Sequence, residues 1–566
     1  MSANIKASVD GTQAIIGVGG VDQMTVSNAG VVTANSFVGN VTGNVTGGTI
    51  SGNASSATAL ATGSTTARTL ANRFADVVNV KDFGAVGDGV ADDTAAIQAA
   101  INAGANIYFP NGIYIVSDND SDTVAIKITK NNINLFGAGI NSTILKLKAN
   151  QNAHTISTDG FNFIQISDIS IDGNRSNQTG SGHGIRVASC NSLHINNLEI
   201  KETSGYGIGL QSGTLKNIFI SNVEIKNTSL DGIDFKNTNN NNSNLILDNI
   251  SISNYGLNTS FSNQTGMDIR GPATITNIHV SSMPNDGVGI RFRNGETSDP
   301  TGLGGHNSSL SNFIIYGSNG VSQIGISIIS RDVTISNGTV DKVLFGVECA
   351  GERNLINNVS ILNTTSSGII FNYVDSIING SYSTASNCKM NNCIEAIQIE
   401  GNNNIIQSCQ MLNCTTRTIQ INVGANNNII SSNQFLGGVL GVLDNGTNSI
   451  FTNNFGLDLQ QPPLRYGDRG TVIISSGTIN ISKNRHTVDT EGSAPTDDLD
   501  TINGATYDGQ ILIISSVNSS RDITVKDGTG NIQLSTDFVL ITNRNHLMLV
   551  WDDVYGTWFE LSRSIN

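Results

Sequence analysis

The apolar positions of this chain recur as short strands, not as helical faces. A pattern of Gly, apolar, variable, apolar returns at Gly184-Ile185-Arg186-Val187, Gly207-Ile208-Gly209-Leu210, Gly232-Ile233-Asp234-Phe235, Gly266-Met267-Asp268-Ile269 and Gly287-Val288-Gly289-Ile290. It continues at Gly325, Gly346, Gly368, Ala396, Thr418 and Gly441. The usual step is about 22 residues, stretched before Gly266 and before Gly325. Two further apolar strands fall inside most steps, such as Ile218-Phe219-Ile220 and Val223-Glu224-Ile225. Asn, Ser, Thr and Gly fill the corners between them, where short polar side chains bond the backbone. A base period of this size with three short strands per turn predicts a stacked solenoid, a parallel β-helix of about a dozen coils. The interior column it predicts runs through Ile185, Ile208, Ile233, Met267, Val288 and Ile326.

The one helical pattern lies just ahead of the repeats. Ile97 and Ile101 are four apart, with Asp92 or Asp93 placed to cap. Gly84, Gly87 and Gly89 precede it, and Ile107 to Tyr114 supply two strands around Pro110-Asn111-Gly112. A short amphipathic helix here predicts a plug over the open end of the core. The stretch Val80 to Tyr114 closely resembles the entry motif of pectate-lyase-like right-handed parallel β-helix proteins, phage tailspikes in particular. The resemblance implies an all-β fold: a right-handed parallel β-helix with an N-terminal capping helix.

Composition divides the chain into three regions. Residues 1–75 are small, polar and low in complexity, too poor in apolar residues to bury a core alone. They resemble the virion-proximal part of phage tail fibres, which implies attachment to a tail or baseplate protein. Residues 76–457 are the solenoid. Residues 458–566 alternate short strands with glycine turns, which suggests a small β-sandwich-like domain holding both tryptophans, Trp551 and Trp558. This end resembles C-terminal domains of phage tail proteins that assist trimer assembly or bind glycans. The terminal segments together predict a homotrimer.

The chain of 566 residues is 13% charged and 5% aromatic, with 61 Gly and 7 Pro. A net charge of −15 argues against nucleic acid as a partner. No apolar run is long enough to span a bilayer, and no signal peptide pattern opens the chain, so synthesis in the host cytoplasm is expected. Six cysteines, including Cys388 and Cys393 one coil below Cys409 and Cys414, read as buried thiols in stacked coils. No cofactor and no metal is expected.

Chemistry is expected on the outward positions of the coils. Aligned on glycine, the first outward column reads Arg186, Gly209, Asp234, Asp268, Gly289, Ser327 and Glu348. The second, two residues on, reads Gln211, Lys236, Arg270 and Arg291. Asp234 with Lys236, Asp268 with Arg270, and Arg291 with Arg293 form a patch on adjacent coils. The long insertions 254–265 and 294–309, carrying Tyr255, Phe261 and His306, could wall a groove over it. Carboxylates one coil apart have backbones roughly 4.8 Å apart, close to the roughly 5 Å of a retaining glycosidase pair. Asp234 and Asp268 are therefore the catalytic candidates, expected on an exposed face. Asp231, Lys236, Arg270, Arg291, Arg293, His306 and Glu348 are the substrate-binding candidates. A plain ladder of ion pairs is the competing reading of the same residues.

The run Asn227 to Phe235 also resembles the Asn-Thr-Asp-Gly-Ile-Asp strand of polygalacturonases, with Asp231 nearest the family's acid. That family's following Asp-Asp pair is missing, and Gly182-His183-Gly184 stands upstream instead of downstream, so His183 reads as a surface or corner residue. The tailspike resemblance implies a virion protein that binds and depolymerises a bacterial surface polysaccharide, capsule or lipopolysaccharide. Hydrolysis by the acid pair is the leading chemistry. A lyase using Arg or Lys near a uronic acid, a non-catalytic receptor-binding fibre and a cell-encoded pectinase are the alternatives.

Overall fold

The computed structural model describes residues 4–7, 13–18, 21–27 and 32–34, then 58–565 apart from 119–121, 212, 237–243, 294–306, 319–321, 373–379, 439–440, 457–469, 506–507 and 542–543. Contacts divide the chain into Met1–Ala75 and Asp76–Asn566. In the first unit, Asn4–Ala7, Gln13–Val18, Val21–Ser27 and Val32–Ala34 pair in order as an antiparallel sheet. This is more local order than the composition suggests.

The second unit opens with the glycine-rich entry. The turn Val80–Phe83 ends at Gly84, whose φ of 100° suits glycine. The Asp93 carboxylate accepts the backbone N–H of Val86 at 2.6 Å and of Gly87 at 3.1 Å, so the loop folds around this acid. Asp92 accepts the Thr94 N–H and hydroxyl at the start of the helix Thr94–Ala103. Ile97, Ala100 and Ile101 of that helix are buried in the main core. The strands Asn106–Phe109 and Gly112–Val116 flank the Pro110 turn, as the sequence predicts. A Cβ on Gly112 would lie 2.6 Å from the Gly87 carbonyl oxygen, so this close approach requires glycine.

The solenoid that follows is a parallel β-helix. One face is a 13-stranded parallel sheet from Val124–Ile128 to Val442–Asp444. The other faces share a 21-stranded sheet. Its long strands, such as Asn191–Thr203 and Lys216–Thr228, bend at Asn197 and Asn222, which adopt positive φ. Asparagine tolerates that region. The Asn249 amide also donates to Asn222 at 2.8 Å and Asn254 to Asn227 at 2.6 Å, tying coil to coil.

The repeated glycine has a packing cause. A Cβ on Gly207 would lie 2.7 Å from the Gly232 carbonyl oxygen, and one on Gly346 would lie 2.4 Å from that of Gly368. Gly184, Gly232, Gly266, Gly289 and Gly325 meet the following coil in the same way. This ladder corrects the predicted register at one coil. Gly289, not Gly287, stacks between Gly266 and Gly325, while Gly287 closes a turn by donating its N–H to the Pro284 carbonyl. Met267 accordingly pairs with Ile290, and Asp268 pairs with Arg291. Ile185, Ile208, Ile233, Met267, Ile290 and Ile326 form the interior column, and Val288 is buried one step earlier.

Residues 470–564 hold a second core of their own. Gly470–Ile473, Arg485–Asp489 and Ile511–Ser516 pair in parallel before His546–Asp552 and Thr557–Ser564 add antiparallel strands. Trp558 is wholly buried there, and its indole N–H donates to the Ile502 carbonyl at 3.1 Å. All six cysteines are free and buried. No helix among the described residues is long and apolar enough to cross a membrane.

Candidate functional site

Four consecutive strands of the 13-stranded sheet, Ile208–Gln211, Ile233–Lys236, Thr265–Arg270 and Val288–Phe292, bring the predicted charges together. Asp234 and Asp268 are register partners, as are Lys236 and Arg270. One ligand oxygen each from Asp231, Asp234 and Asp268 lies within 4.8 Å of the others. The register correction puts Arg291 in the first outward column beside Asp268, and so places Arg293 in the second beside Arg270.

The expected exposed face is not what these acids occupy. Asp234 is 0% exposed, Asp268 1% and Asp231 8%. The side chains of Asp234 and Asp268 do leave the sheet outward, but they are short. Lys236, Arg270 and Arg293 are long enough to fold back over them. Lys236 Nζ lies 3.0 Å from Asp234 Oδ2. Arg270 Nη2 lies 2.8 Å from Asp268 Oδ2 and 3.8 Å from Asp234 Oδ1. Arg293 Nε donates to Asp268 at 2.9 and 3.0 Å, and its Nη2 adds a third contact. What faces solvent over the cluster is therefore cationic.

This arrangement drives the three acids apart. Burial, then the charge of Asp268, pushes Asp231 up to about 7. The same two causes push Asp234 up. Burial also acts on Asp268, yet the hydrogen bonds and charges of Arg293 and Arg270 hold it below the usual carboxylate range. Asp231 keeps one anchor, accepting the Thr265 N–H at 2.6 Å. Asp234 is fully buried and is met by the Lys236 ammonium at 3.0 Å and, more distantly, by Arg270 at 3.8 Å. Three oxygen donors this close suit a hard cation, but the lysine and two arginines already supply the counter-charge.

The other candidates lie at varying distances from this centre. Arg291 Nη1 donates to the Asn263 carbonyl at 3.4 Å. Glu348 stands two coils on, past Ser327, whose hydroxyl donates to it at 2.9 Å, and Asn372 donates to its other oxygen at 3.0 Å. His306 and insertion residues 294–306 lie outside the described residues. Of the other proposed wall, Phe261 is exposed, but Tyr255 is 1% exposed and its hydroxyl donates to the Val288 carbonyl at 2.8 Å. Tyr255 is a packing residue and offers no sugar platform.

Two residues outside the predicted site set lie against it: Tyr206, which the sequence reading did not name, and His183, which it read as a surface or corner residue. Tyr206 lies beside Asp234, and burial followed by that charge pushes its phenol well up, so it keeps its proton. The ring of His183 packs 4.6 Å from that of Tyr206 and 4.4 Å from that of His154. His183 Nδ1 accepts the Tyr206 N–H at 3.0 Å. Far from being a surface corner, His183 is 7% exposed, and burial drives it down to about 3, so it is neutral. A signal was present: His183, Tyr206 and Asp231 each immediately precede a ladder glycine.

Residues 77–271 match the family model described as rhamnogalacturonase A/epimerase, pectate lyase-like. The span contains the three aspartates, Lys236 and Arg270, and ends before Arg291 and Arg293. The chain is 37% identical over 149 residues to a mannuronan C5-epimerase of Azotobacter vinelandii, covering 23% of this chain and 15% of that protein. It is 36% identical over 146 residues to an alginate lyase of the same organism, covering 23% and 17%. It is 34% identical over 140 residues to a pre-neck appendage protein of Bacillus phage B103, covering 22% and 15%. The chain thus spans less than a fifth of the length of each of these relatives. The solenoid is a pectate-lyase-like parallel β-helix.

Proposed function

We propose that this protein is a phage tailspike that binds and depolymerises an acidic polysaccharide of the bacterial surface. The observation that carries the reading is the cationic roof of Lys236, Arg270 and Arg293 over buried aspartates. A sugar arriving here meets cations first, and guanidinium forks suit carboxylates. The similarity to a mannuronan C5-epimerase, an alginate lyase and a phage pre-neck appendage protein supports the same substrate class and a virion location.

The geometry favours proton abstraction over the hydrolysis expected from the sequence. Hydrolysis by the Asp234 and Asp268 pair needs a carboxylate free to reach the anomeric carbon, whereas Asp268 is held by two arginines. At a 4-linked uronate, a base removes the proton at C5, and the electron pair moves into the carboxyl group, where the roof cations stabilise it. The C4–O bond then breaks, leaving a C4–C5 double bond, and the leaving oxygen takes a proton. Asp231, near 7, is matched to the base role at neutral pH. Half-buried Tyr206, with its proton retained, is matched to the acid role. Returning the proton to the opposite face of C5 would instead invert the sugar, and the epimerase similarity keeps that second outcome in view.

The test is incubation with purified uronate-containing polysaccharides in deuterated water. Shorter products that absorb ultraviolet light as unsaturated uronates establish elimination. New reducing ends without that absorbance restore hydrolysis. Deuterium at C5 without shortening establishes epimerisation. None of the three makes the protein a binding fibre. The accompanying homotrimer is tested by sedimentation, with an expected mass about three times the 59.5 kDa chain.

A further inference from the structure

The 21-stranded sheet carries a second concave surface that the proposed chemistry does not use. Two neighbouring clefts of about 360 and 370 Å³ lie on it as one grooved stretch of surface, with Gln165 and His194 lining both. The groove follows a column of register partners: Asn106, Asn134, Gln165, His194 and Phe219. Five strands at the usual spacing give it a length of roughly 19 Å.

Its chemistry is the opposite of the aspartate site. Among the described residues no carboxylate, ammonium or guanidinium lines either cleft; amides, hydroxyls, His194 and two phenylalanines do. The Phe219 and His194 rings lie 4.9 Å apart, tilted at 51° to each other, on adjacent strands of the groove. Flat rings set among carboxamides match a pyranose, whose C–H face packs on an aromatic and whose hydroxyls bond amides.

Phe163 is the strongest sign that the groove is built for a ligand. It occupies a corner column shared with Asn132, Ser192 and Asn217, all at positive φ. Phe163 sits there at φ 60° with its side chain 56% exposed. For a bulky residue that conformation is strained, and the exposure forgoes burial. Asparagine, used at this corner one coil before (Asn132) and two coils after (Asn217), would avoid both costs. Tyr382 combines a similar φ and exposure at another corner, so what distinguishes Phe163 is that it lines the cleft.

We propose that this groove is a second glycan site, which takes a short stretch of neutral sugars and is separate from the cationic site. It requires no reaction there and does not depend on the depolymerase reading. The full chain is run by affinity electrophoresis in gels containing dextran, mannan or galactan, each a neutral polymer. At least one is expected to retard the protein. Phe163→Asn and His194→Ala should each weaken that retardation about tenfold, the scale of one lost ring contact. Phe163→Asn should melt no lower than the parent, because it relieves the backbone. Asp231→Asn should be retarded like the parent. The proposal is overturned if none of the three polymers retards the protein, or if Phe163→Asn binds unchanged. It is equally overturned if either groove variant changes the sedimentation coefficient, which would make the groove a contact between copies of the chain.

Discussion

At the scale of single residues, the site is a competition between burial and counter-charge, and the three aspartates resolve it differently. For Asp231, burial and the charge of Asp268 outweigh its one backbone donor, so its folded pKa of about 7 stands above the roughly 3.9 of an unfolded aspartate. Between those values the folded chain binds a proton that the unfolded chain has lost, so stability falls as pH rises through that window. Asp231→Asn keeps an oxygen for the Thr265 N–H and removes the titration. It should therefore be at least as stable as the parent at pH 8, lose the parent's decline between about pH 4 and 7, and lose turnover. Melting curves across pH, paired with activity, check this; full activity in the variant would remove Asp231 from the chemistry. Asp268 obeys the opposite sign, because its folded pKa is depressed: its contribution is present above the unfolded value and is lost as pH falls through the folded one. Its arginines make it structural, so Asp268→Asn should cost about 3 kcal/mol in denaturant titrations. A variant as stable as the parent would show that the arginines find other partners at no cost.

At the scale of the element, the strand repeat was legible because its glycine is imposed by the next coil's carbonyl. A chain that must bring a backbone oxygen within 2.7 Å of a Cβ position writes glycine there, as it does on each coil from Gly184 to Gly368. The same rule explains the one slip. Gly287 and Gly289 are two apart, and period-two side-chain alternation is blind to a shift of two. Only contact with Gly325 across the coil separates them. The outward direction of Asp234 and Asp268 was also legible, as was their meeting. Their burial was not, because alternation gives direction and says nothing of how far a lysine or arginine two residues on will fold back. Tyr206 was missed because attention fell on the residues after the ladder glycine, and His183 was misread as a corner residue because alternation carries no information on the burial of a side chain just ahead of a strand. The ladder itself makes a prediction. Gly289→Ala places a Cβ 2.5 Å from the Gly325 oxygen and 2.7 Å from Ile315 Cγ2. It should destabilise by about 1–3 kcal/mol. Gly441→Ala, at the end of the repeat with nothing within 4 Å, should stay within about 0.5 kcal/mol of the parent. Equal effects in the two variants would mean the glycines are kept for backbone conformation and not for packing.

At the scale of the whole molecule, an acidic protein proposed to bind an acidic polymer sets two electrostatic ranges against each other. The chain carries −15 overall, while the aspartate site presents Lys236, Arg270 and Arg293 to the ligand. At about 0.01 M salt the screening length is about 30 Å, so an approaching polyanion feels the net charge of the whole protein. At about 0.15 M it is about 8 Å, and the long-range repulsion is screened while the contact pairs with the roof cations largely remain. Trimer formation would multiply the repulsive part without changing the local part. KM for an acidic polysaccharide should therefore fall as salt rises from about 0.01 to 0.15 M, then rise again towards 1 M as the contact pairs weaken. Arg293→Ala removes a local attraction only, so its KM should be higher at every salt concentration while the initial fall persists. Initial-rate measurements over a salt series distinguish this from simple cationic capture, for which KM would rise from the lowest salt onward. That monotonic rise would mean the polymer approaches along a locally positive path, and the net charge of the chain would then carry no information about how it meets its substrate.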